Sequence, residues 1–152
     1  AVPDCSLEVV AAAEPSYMTA PLPCDERGRL AAEAREPIEE LAKAATVVAL
    51  GPGLGRSEAL DALVAHLYGK LAKPMVLDAD ALNALAEQPE VLEEPGGERI
   101  LTPHPGEFTR LVGQHLPEGE REHAAVEMAG RCGIVVVLKS HRTMVTEGKT
   151  AW

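Results

Sequence analysis

The stretch TVVALGPGLGRSEALDALVAHLYGKLAKPMVL, residues 46–77, decides the fold class. It opens with a continuous apolar and β-branched run, Thr46 to Leu50, which is typical of a strand buried on both faces. Glycines follow, and then Ser57 precedes a segment whose apolar residues recur at three- and four-residue spacing, so this segment predicts a capped amphipathic helix. Pro74 ends the helix, and Met75 to Leu77 predicts a second strand. This order predicts a right-handed crossover between parallel strands.

The alternation of strand and helix continues on both sides of this stretch. Downstream, RILTPHPGEFTRLVG repeats the strand, loop and helix plan, HAAVEMAGRCGIVVVL adds a helix and a buried strand, and TMVTEG with KTAW resembles a hairpin. Upstream, Leu7 to Ala13 is interpreted as a short strand, and IEELAKAA is the core of an acidic helix with Pro37 in its first turn. We therefore predict a three-layer α/β/α fold with a mainly parallel sheet, in one domain over residues 1–152 without repeats.

Composition narrows the class of protein. The chain has 152 residues, 46% of them hydrophobic and 25% charged, as in ordinary soluble domains. Lys and Arg total 14 against 24 Asp and Glu, and the net charge of −10 argues against nucleic-acid binding. The three cysteines contain no Cys-x-x-Cys pair and support neither a disulfide framework nor a thiolate zinc site. No apolar run approaches the ~20 residues of a membrane span, so we expect a cytoplasmic protein without a membrane partner.

Ligands of parallel α/β sheets bind at the carboxyl ends of the strands, which singles out four loops. In the first loop, Gly51-Pro52-Gly53-Leu54-Gly55, glycines permit a ligand to approach the backbone, or they make a structural tight turn. The third glycine of a dinucleotide fingerprint is missing, because Arg56 stands there. In the second loop, Asp80 is interpreted as a helix cap, whereas Asp78 leaves a buried strand and needs a cation, donors or water.

The third and fourth loops carry a histidine and a cluster of cations. Prolines flank His104, and Glu107 falls in the first turn of the next helix, so both side chains can face one site, although a single histidine is often structural. In the fourth loop Lys139 follows four apolar residues directly, and His141 and Arg142 come soon after. Cations at a strand end suit a phosphate, and the alternative is a basic hairpin tip.

Taken together and in this order, the four loops resemble one family, the ribokinase-like ADP- or ATP-dependent NAD(P)H-hydrate dehydratases. The matching segments are ALGPGLG (49–55), VLDADALNAL (76–85), ILTPHPGEFTRL (100–111) and VVLKSHRTMV (136–145). The stretch before the acidic helix is similar too, so the resemblance covers essentially the whole chain. Ser140 and His141 stand where typical members carry a Gly-Ala pair.

The resemblance implies a repair reaction, in which hydrated NADH or NADPH returns to the reduced cofactor while ADP or ATP is consumed. The ring hydroxyl would be phosphorylated and phosphate then eliminated, with Mg²⁺ shielding the transferring group. We predict a substrate-binding set of Gly51, Gly53, Gly55, Asp78, Asn83, His104, Pro105, Gly106 and Glu107. The predicted nucleotide-binding set is Lys139, Ser140, His141, Arg142 and Thr143. Glu107 would also lie near the metal and its waters. Because these side chains lie at loop mouths, we expect His104→Ala and Lys139→Ala to weaken binding with little loss of stability.

Family members also carry a Gly-Thr-Gly-Asp loop, which forms the anion hole and supplies the catalytic Asp. These 152 residues contain no such sequence, so we expect that Asp beyond Trp152. A glycine- and alanine-rich first strand and helix are missing too. The resemblance thus implies a segment incomplete at both ends, inactive alone and part of a homo-oligomer. The alternatives are a small-molecule kinase of the same superfamily, acting on a vitamin precursor or a sugar, and a non-catalytic nucleotide-binding module.

Overall fold

A computed structural model describes residues 1–117 and 119–152. The chain divides into two compact units, residues 1–44 and residues 45–152, and each is described by itself. The prediction of one domain over residues 1–152 stays a prediction. None of the helices in the described part of the chain combines the length and the apolar character that a membrane crossing requires.

The first unit contains two short parallel strands and two helices. Strand β1 (Val2–Pro3) pairs with β2 (Pro21–Leu22), and helices α1 (Leu7–Ala13) and α2 (Arg35–Ala44) complete the unit. The interpretation of Leu7 to Ala13 as a strand is wrong, because this segment forms α1. A short, mostly apolar run such as LEVVAAA does not distinguish helix from strand, and the three alanines that end this one are the best helix formers. Helix α2 agrees with the predicted acidic helix, and Pro37 lies in its first turn.

Two cysteines of the first unit lie together. Asp4, Cys5 and Cys24 place a carboxylate oxygen and two sulfur atoms within 4.8 Å of one another. A hydrogen bond between the Cys24 thiol and the Asp4 carboxylate raises the pKa of Cys24 to about 11, because the thiolate could not donate that bond. Cys24 is therefore a protonated thiol at neutral pH.

The second unit is a five-stranded sheet with helices between its strands. The strands are β3 (Val48–Leu50), β4 (Met75–Leu77), β5 (Arg99–Leu101), β6 (Val135–Leu138) and β7 (Met144–Thr146), in the spatial order β3-β4-β5-β6-β7. The first four are parallel, and β7 is antiparallel to β6. The predicted hairpin of TMVTEG with KTAW is confirmed, because Thr146 forms an antiparallel bridge with Ala151, and Val145 and Trp152 exchange backbone hydrogen bonds of 2.9 Å. The helices are α3 (Glu58–Lys70), α4 (Asp80–Ala86), α5 (Pro105–Val112) and α6 (Glu118–Cys132). The prediction of an α/β fold with a mainly parallel sheet is confirmed.

One face of this sheet carries the core. Because right-handed crossovers between strands that follow one another in space put every connection on the same side, we expect α3 to α6 on one face. The burial pattern agrees: Leu77, Leu101 and Val136 are fully buried, whereas Ile100, which points to the other face, is 36% exposed. The prediction that Thr46 to Leu50 is buried on both faces is wrong. Ala49 is exposed because it is in register with Val76 and Ile100, on the face that points away from the core.

A buried arginine joins the sheet to the end of α3. The guanidinium of Arg99, 1% exposed, donates hydrogen bonds to the carbonyl oxygens of Tyr68, Leu71 and Lys73. These are carbonyls at the end of α3 and just beyond it, where an α-helix leaves its last acceptors without intrahelical partners. The guanidinium also lies 5.4 Å from the centroid of the Tyr68 ring. Arg99, a residue of β5, thus caps the carboxyl end of α3.

Candidate functional site

The glycine loop after β3 is shaped by one glycine that has no room for a side chain. Gly51 has φ +132°, and a Cβ on it would lie 1.8 Å from the backbone oxygen of Asp78. Gly53 has φ +71°, and a Cβ on it would meet nothing within 4 Å. Of the two interpretations of this loop, the tight turn thus holds for Gly51, whereas Gly53 leaves an open approach to its backbone. Substrate contact by Gly51, Gly53 and Gly55 stays a prediction.

The carboxylate of Asp80 holds the same loop. Its Oδ2 accepts a hydrogen bond of 2.8 Å from the backbone N–H of Gly55. The interpretation of Asp80 as a helix cap is wrong, because α4 begins at Asp80 and the preceding Ala79 is its N-cap residue, without a side-chain cap. The error has a physical source: the carboxylate can bond either to its own helix or to a neighbouring loop, and the sequence does not say which loop lies nearby.

The neighbouring residue, Ala79, has a strained backbone. Its φ of +50° and ψ of −117° lie in a region that residues with a Cβ rarely adopt. It is the one residue other than glycine with positive φ among those that the structure describes. Such strain persists only where the surroundings enforce it, and it is concentrated at functional sites. Here it turns the chain between Asp78 and Asp80, so that the two carboxylates bind different partners.

Asp78 pairs with the lysine of the fourth loop. The Lys139 Nζ donates to Asp78 Oδ1 over 2.7 Å, and both side chains are about one-third exposed, at 39% and 34%. Partial burial raises the pKa of Asp78, but hydrogen bonds from Lys139, from the Ala79 N–H and from Thr102 outweigh that effect, so the pKa of Asp78 lies below its ordinary value. The expectation that Asp78 needs a cation or donors is confirmed.

His104 and Glu107 form a reciprocal cap at the start of α5. The His104 Nδ1 accepts the backbone N–H groups of Gly106 and Glu107, and Glu107 Oε2 accepts the backbone N–H of His104 over 2.8 Å. The Glu107 carboxylate is 7% exposed, whereas the imidazole is 52% exposed. The two side chains lie together, as predicted, and His104 Nε2 lies 3.4 Å from Glu107 Oε1. The expectation of little stability loss in His104→Ala is corrected, because the ring satisfies two backbone donors.

The basic tip of the fourth loop lines a cavity of about 410 Å³. Ser140, His141 and Arg142 line it together with Pro105 at the start of α5. Residues of α6 complete the lining; they are Gly119, Arg121 and Glu122. These α6 residues could not be recognised from the sequence, because their position depends on how α6 returns to the sheet. Two residues of the predicted nucleotide set are not among the lining residues: Lys139, which is paired with Asp78, and Thr143, which is exposed.

Direct contacts join all four loops. Gly51 packs against the backbone of Asp78, Asp78 binds Lys139, and the Lys139 N–H donates to the Pro103 carbonyl over 2.8 Å. Asn83 is connected as well, since its Oδ1 accepts the Arg110 Nε over 2.7 Å and so joins α4 to α5. The loops that sequence reasoning singled out therefore form one continuous edge of the sheet. Which ligand each residue of the two predicted sets contacts stays a prediction.

Glu107 does not fit the role of a direct metal ligand. Its carboxylate is almost completely buried and is bound to His104. Within the described residues, three His, Cys, Asp or Glu side chains meet closely enough to hold an ion at one place only, around Cys5 and Cys24, and not at this edge. A Mg²⁺ ion would neutralise charge on a transferring phosphoryl group, but these residues offer no set of direct ligands for it. The predicted indirect contact of Glu107 through water stays a prediction.

Comparisons with known proteins agree on one kind of protein. A family model described as NAD(P)H-hydrate dehydratase matches residues 1–152. A bifunctional NAD(P)H-hydrate repair enzyme from Gloeobacter violaceus is 42% identical over 145 residues, which are 95% of this chain and 27% of that protein. The enzyme of the same name from Moorella thermoacetica is 38% identical over 147 residues, 95% of this chain and 28% of that protein. The chain thus spans little more than a quarter of the length of these relatives.

Solved structures show the same fold. A ribokinase-like superfamily protein from Enterococcus faecalis superposes with a TM-score of 0.68 over 95% of this chain and 47% of that one, at 21% sequence identity. The similarity confirms the predicted ribokinase-like fold. At this identity it bears on the fold alone.

Proposed function

Because this chain belongs to the NAD(P)H-hydrate dehydratase family, we propose that it forms the substrate- and nucleotide-binding edge of a cofactor-repair enzyme. The reaction returns hydrated NADH or NADPH to the reduced cofactor. The terminal phosphoryl group of ADP or ATP passes to the ring hydroxyl, which leaves AMP or ADP. Phosphate then leaves with a proton from the adjacent ring carbon, and the ring double bond is restored.

One observation carries the proposal: the four segments that resemble the family meet at one edge and contact one another. Between 14 and 24 residues of the chain separate one segment from the next, yet Gly51, Asp78, Pro103 and Lys139 form an unbroken series of contacts. A phosphoryl transfer requires the hydroxyl and the nucleotide to be held side by side. Adjacent loops for the two ligands supply that arrangement.

Each loop has chemistry that suits its ligand. The open backbone at Gly53 permits close approach of the hydrated ring, and the half-exposed imidazole of His104 can donate a hydrogen bond beside it. With Nδ1 occupied as the acceptor of two N–H groups, the neutral ring carries its proton on Nε2. Nε2 is then the donor of the ring, and its proton can point to the substrate or to Glu107.

The fourth loop suits a polyphosphate. Lys139 and Arg142 bring positive charge to one loop of a chain whose net charge is −10. The Ser140 hydroxyl orders this hairpin tip, because it donates to the Arg142 carbonyl and accepts the Arg142 N–H. We place the nucleotide phosphates at this loop, between the cavity that Arg142 lines and the adjacent Lys139. The pairing of Lys139 with Asp78 would hold the lysine in position before the nucleotide binds.

The setting of the enzyme is part of the same proposal. We place it in the cytoplasm as a homo-oligomer that acts on soluble cofactors, without nucleic-acid or membrane partners. An assay with ADP and with ATP in parallel distinguishes which nucleotide the enzyme consumes.

The test is product analysis with the complete polypeptide that contains these residues, because the chain spans only 27–28% of the relatives reported above. Hydrated NADH is incubated with ADP or with ATP, and the recovery of near-ultraviolet absorbance is followed while phosphate and nucleotide products are quantified. We expect one reduced cofactor and one phosphate per nucleotide consumed. Accumulation of a stable phosphorylated compound without reduced cofactor would contradict the proposal in favour of a kinase.

A variant connects the activity to this edge. In Lys139→Ala we expect KM for the nucleotide to rise about tenfold or more, the effect of losing an interaction of ~1.4 kcal/mol. Stability should change little, because partly exposed ion pairs contribute about 0–1 kcal/mol. Lys70→Ala is the control, since Lys70 is exposed in the last turn of α3, away from the four loops. Equal nucleotide KM values in Lys139→Ala and Lys70→Ala would contradict the placement of the nucleotide site at this loop.

A further inference from the structure

A cluster of metal-ligating side chains lies in the first unit, outside the edge described above. The strands β1 and β2 are parallel, with Pro3 opposite Leu22. Cys5 and Cys24 each follow two residues after these paired positions, so both leave the strand pair at the same end. The pairing brings together two cysteines that are 19 residues apart and that sequence spacing alone does not connect.

The three ligand atoms have the separation that a small cation needs. One Asp4 carboxylate oxygen and the two sulfur atoms all lie within 4.8 Å of one another. In a tetrahedral zinc site, Zn–S bonds of about 2.3 Å and Zn–O bonds of about 2.0 Å put neighbouring ligand atoms roughly 3.5–3.8 Å apart. A contraction of about 1 Å therefore suffices, and side-chain rotation can supply it. Cys5 is exposed and Cys24 is partly exposed, so an ion can reach the cluster from solvent.

The backbone around the cluster is held independently of any ion. Cys24 forms an antiparallel bridge with Leu30. The turn between them is closed by hydrogen bonds that the backbone N–H groups of Arg27 and Arg29 donate to the Asp25 carboxylate. Gly28, at φ +74°, lies against Cys5, where a Cβ would be 3.3 Å from Cys5 Sγ. On the other side, Asp4 Oδ1 accepts the Cys5 N–H over 2.8 Å. Two fixed turns thus face each other across the ligand atoms.

We propose that Asp4, Cys5 and Cys24 form a binding site for a thiophilic divalent cation, with Zn²⁺ as the natural choice and water as the fourth ligand. Two thiolates and one carboxylate are ligands that Zn²⁺ accepts, and three protein ligands plus water are a regular zinc arrangement. On binding, both thiols release their protons to solvent, so three negative charges meet the two positive charges of the ion. The carboxylate adds a third ligand atom to the pair of cysteines.

The site is separate from the proposed repair reaction and can be tested without it. The complete protein is prepared reduced and metal-free, and it is titrated with Co²⁺, whose thiolate complexes absorb in the near ultraviolet and, when tetrahedral, in the visible. We expect a saturable thiolate-to-cobalt band at about one ion per chain, lost when Zn²⁺ is added. Cys5→Ser and Cys24→Ser should abolish the band, and Asp4→Asn should weaken Co²⁺ affinity by about tenfold or more.

Cys132 provides the matched control. It is the third cysteine of the chain, lies buried in the second unit, and is not part of the cluster. Cys132→Ala should bind Co²⁺ as the unsubstituted protein does, and circular dichroism checks that every variant is folded. The proposal is overturned if no thiolate band develops, if the band survives in both Cys5→Ser and Cys24→Ser, or if it depends on Cys132. It is also overturned if the two cysteines are recovered as a disulfide from freshly reduced protein while Co²⁺ is present.

Discussion

The imidazole of His104 is bound to the backbone of its own helix while half of the ring stays exposed at the edge of the sheet. From the sequence, a histidine between two prolines at a strand end is recognisable as a candidate site residue. Its role as the cap of α5 is not recognisable from the sequence, because histidine is not a common N-cap residue and its ring orientation depends on Glu107. A substitution here therefore changes both stability and binding, and the two effects must be separated.

Two variants of His104 separate these effects. His104→Ala should lower the free energy of unfolding by about 1 kcal/mol, the usual effect of removing an N-cap side chain. His104→Asn should stay within a few tenths of a kcal/mol of the unsubstituted protein, because Asn is a strong N-cap residue. Both should raise KM for hydrated NADH, since both lack the imidazole. Denaturant unfolding and steady-state kinetics of the complete protein measure the two quantities. Normal KM in His104→Asn would make the histidine purely structural.

The glycine loop offers a comparison at matched backbone conformation. Gly53 and Gly113 both have φ +71°, and a Cβ at either would meet nothing within 4 Å. Replacing either by Ala should destabilise the protein by about 1 kcal/mol through the same backbone strain. Only Gly53→Ala should raise KM for the hydrated cofactor, because Gly113 ends α5 away from the loop edge. If Gly113→Ala changed KM equally, the effect of Gly53→Ala would reflect stability rather than ligand contact.

At the scale of elements, the spacing of apolar residues and the positions of glycine and proline predicted most of the second unit. The apolar spacing after Ser57 predicted α3, and Ser57 does accept the Leu60 N–H as its cap. Where the prediction failed, the physical cause is tertiary. The run Leu7 to Ala13 satisfies strand and helix equally, and Ala49 is exposed because it shares a sheet face with the exposed Ile100. Neither property is contained in a local pattern.

Arg99 was not recognised from the sequence, because a charged residue at the start of an apolar strand is ordinarily interpreted as solvated. Its burial makes a prediction about element packing. Arg99→Met should lower the free energy of unfolding by about 3 kcal/mol, since several buried carbonyls at the end of α3 lose a charged donor. Chemical denaturation measures the change.

Arg131→Met is the control for the loss of an arginine. Its guanidinium is 65% exposed and pairs with Glu93 on the surface, so this substitution should change stability by no more than about 0.5 kcal/mol. Equal effects of Arg99→Met and Arg131→Met would show that the buried hydrogen bonds at the end of α3 contribute nothing net to stability.

At the scale of the whole molecule, the candidate site is the product of topology. Because parallel strands end at one edge, the four loops could be identified from the sequence alone. It did not identify the contacts between them, since the Asp78–Lys139 pair joins residues 61 apart and the Asp80–Gly55 bond joins residues 25 apart. Nor did it reveal the meeting of Cys5 and Cys24, which depends on the pairing of two very short strands.

Hydrogen exchange on the complete protein tests the central claim, that these four loops form one site for the hydrated cofactor and the nucleotide. Exchange of backbone amides is compared with and without hydrated NADH and the nucleotide product, which does not react: AMP if the enzyme uses ADP, and ADP if it uses ATP. Peptides covering residues 51–55, 78–83, 104–107 and 139–143 should gain protection, the last of them chiefly with the nucleotide. Protection that leaves all four segments unchanged while it develops elsewhere in the protein would contradict the account.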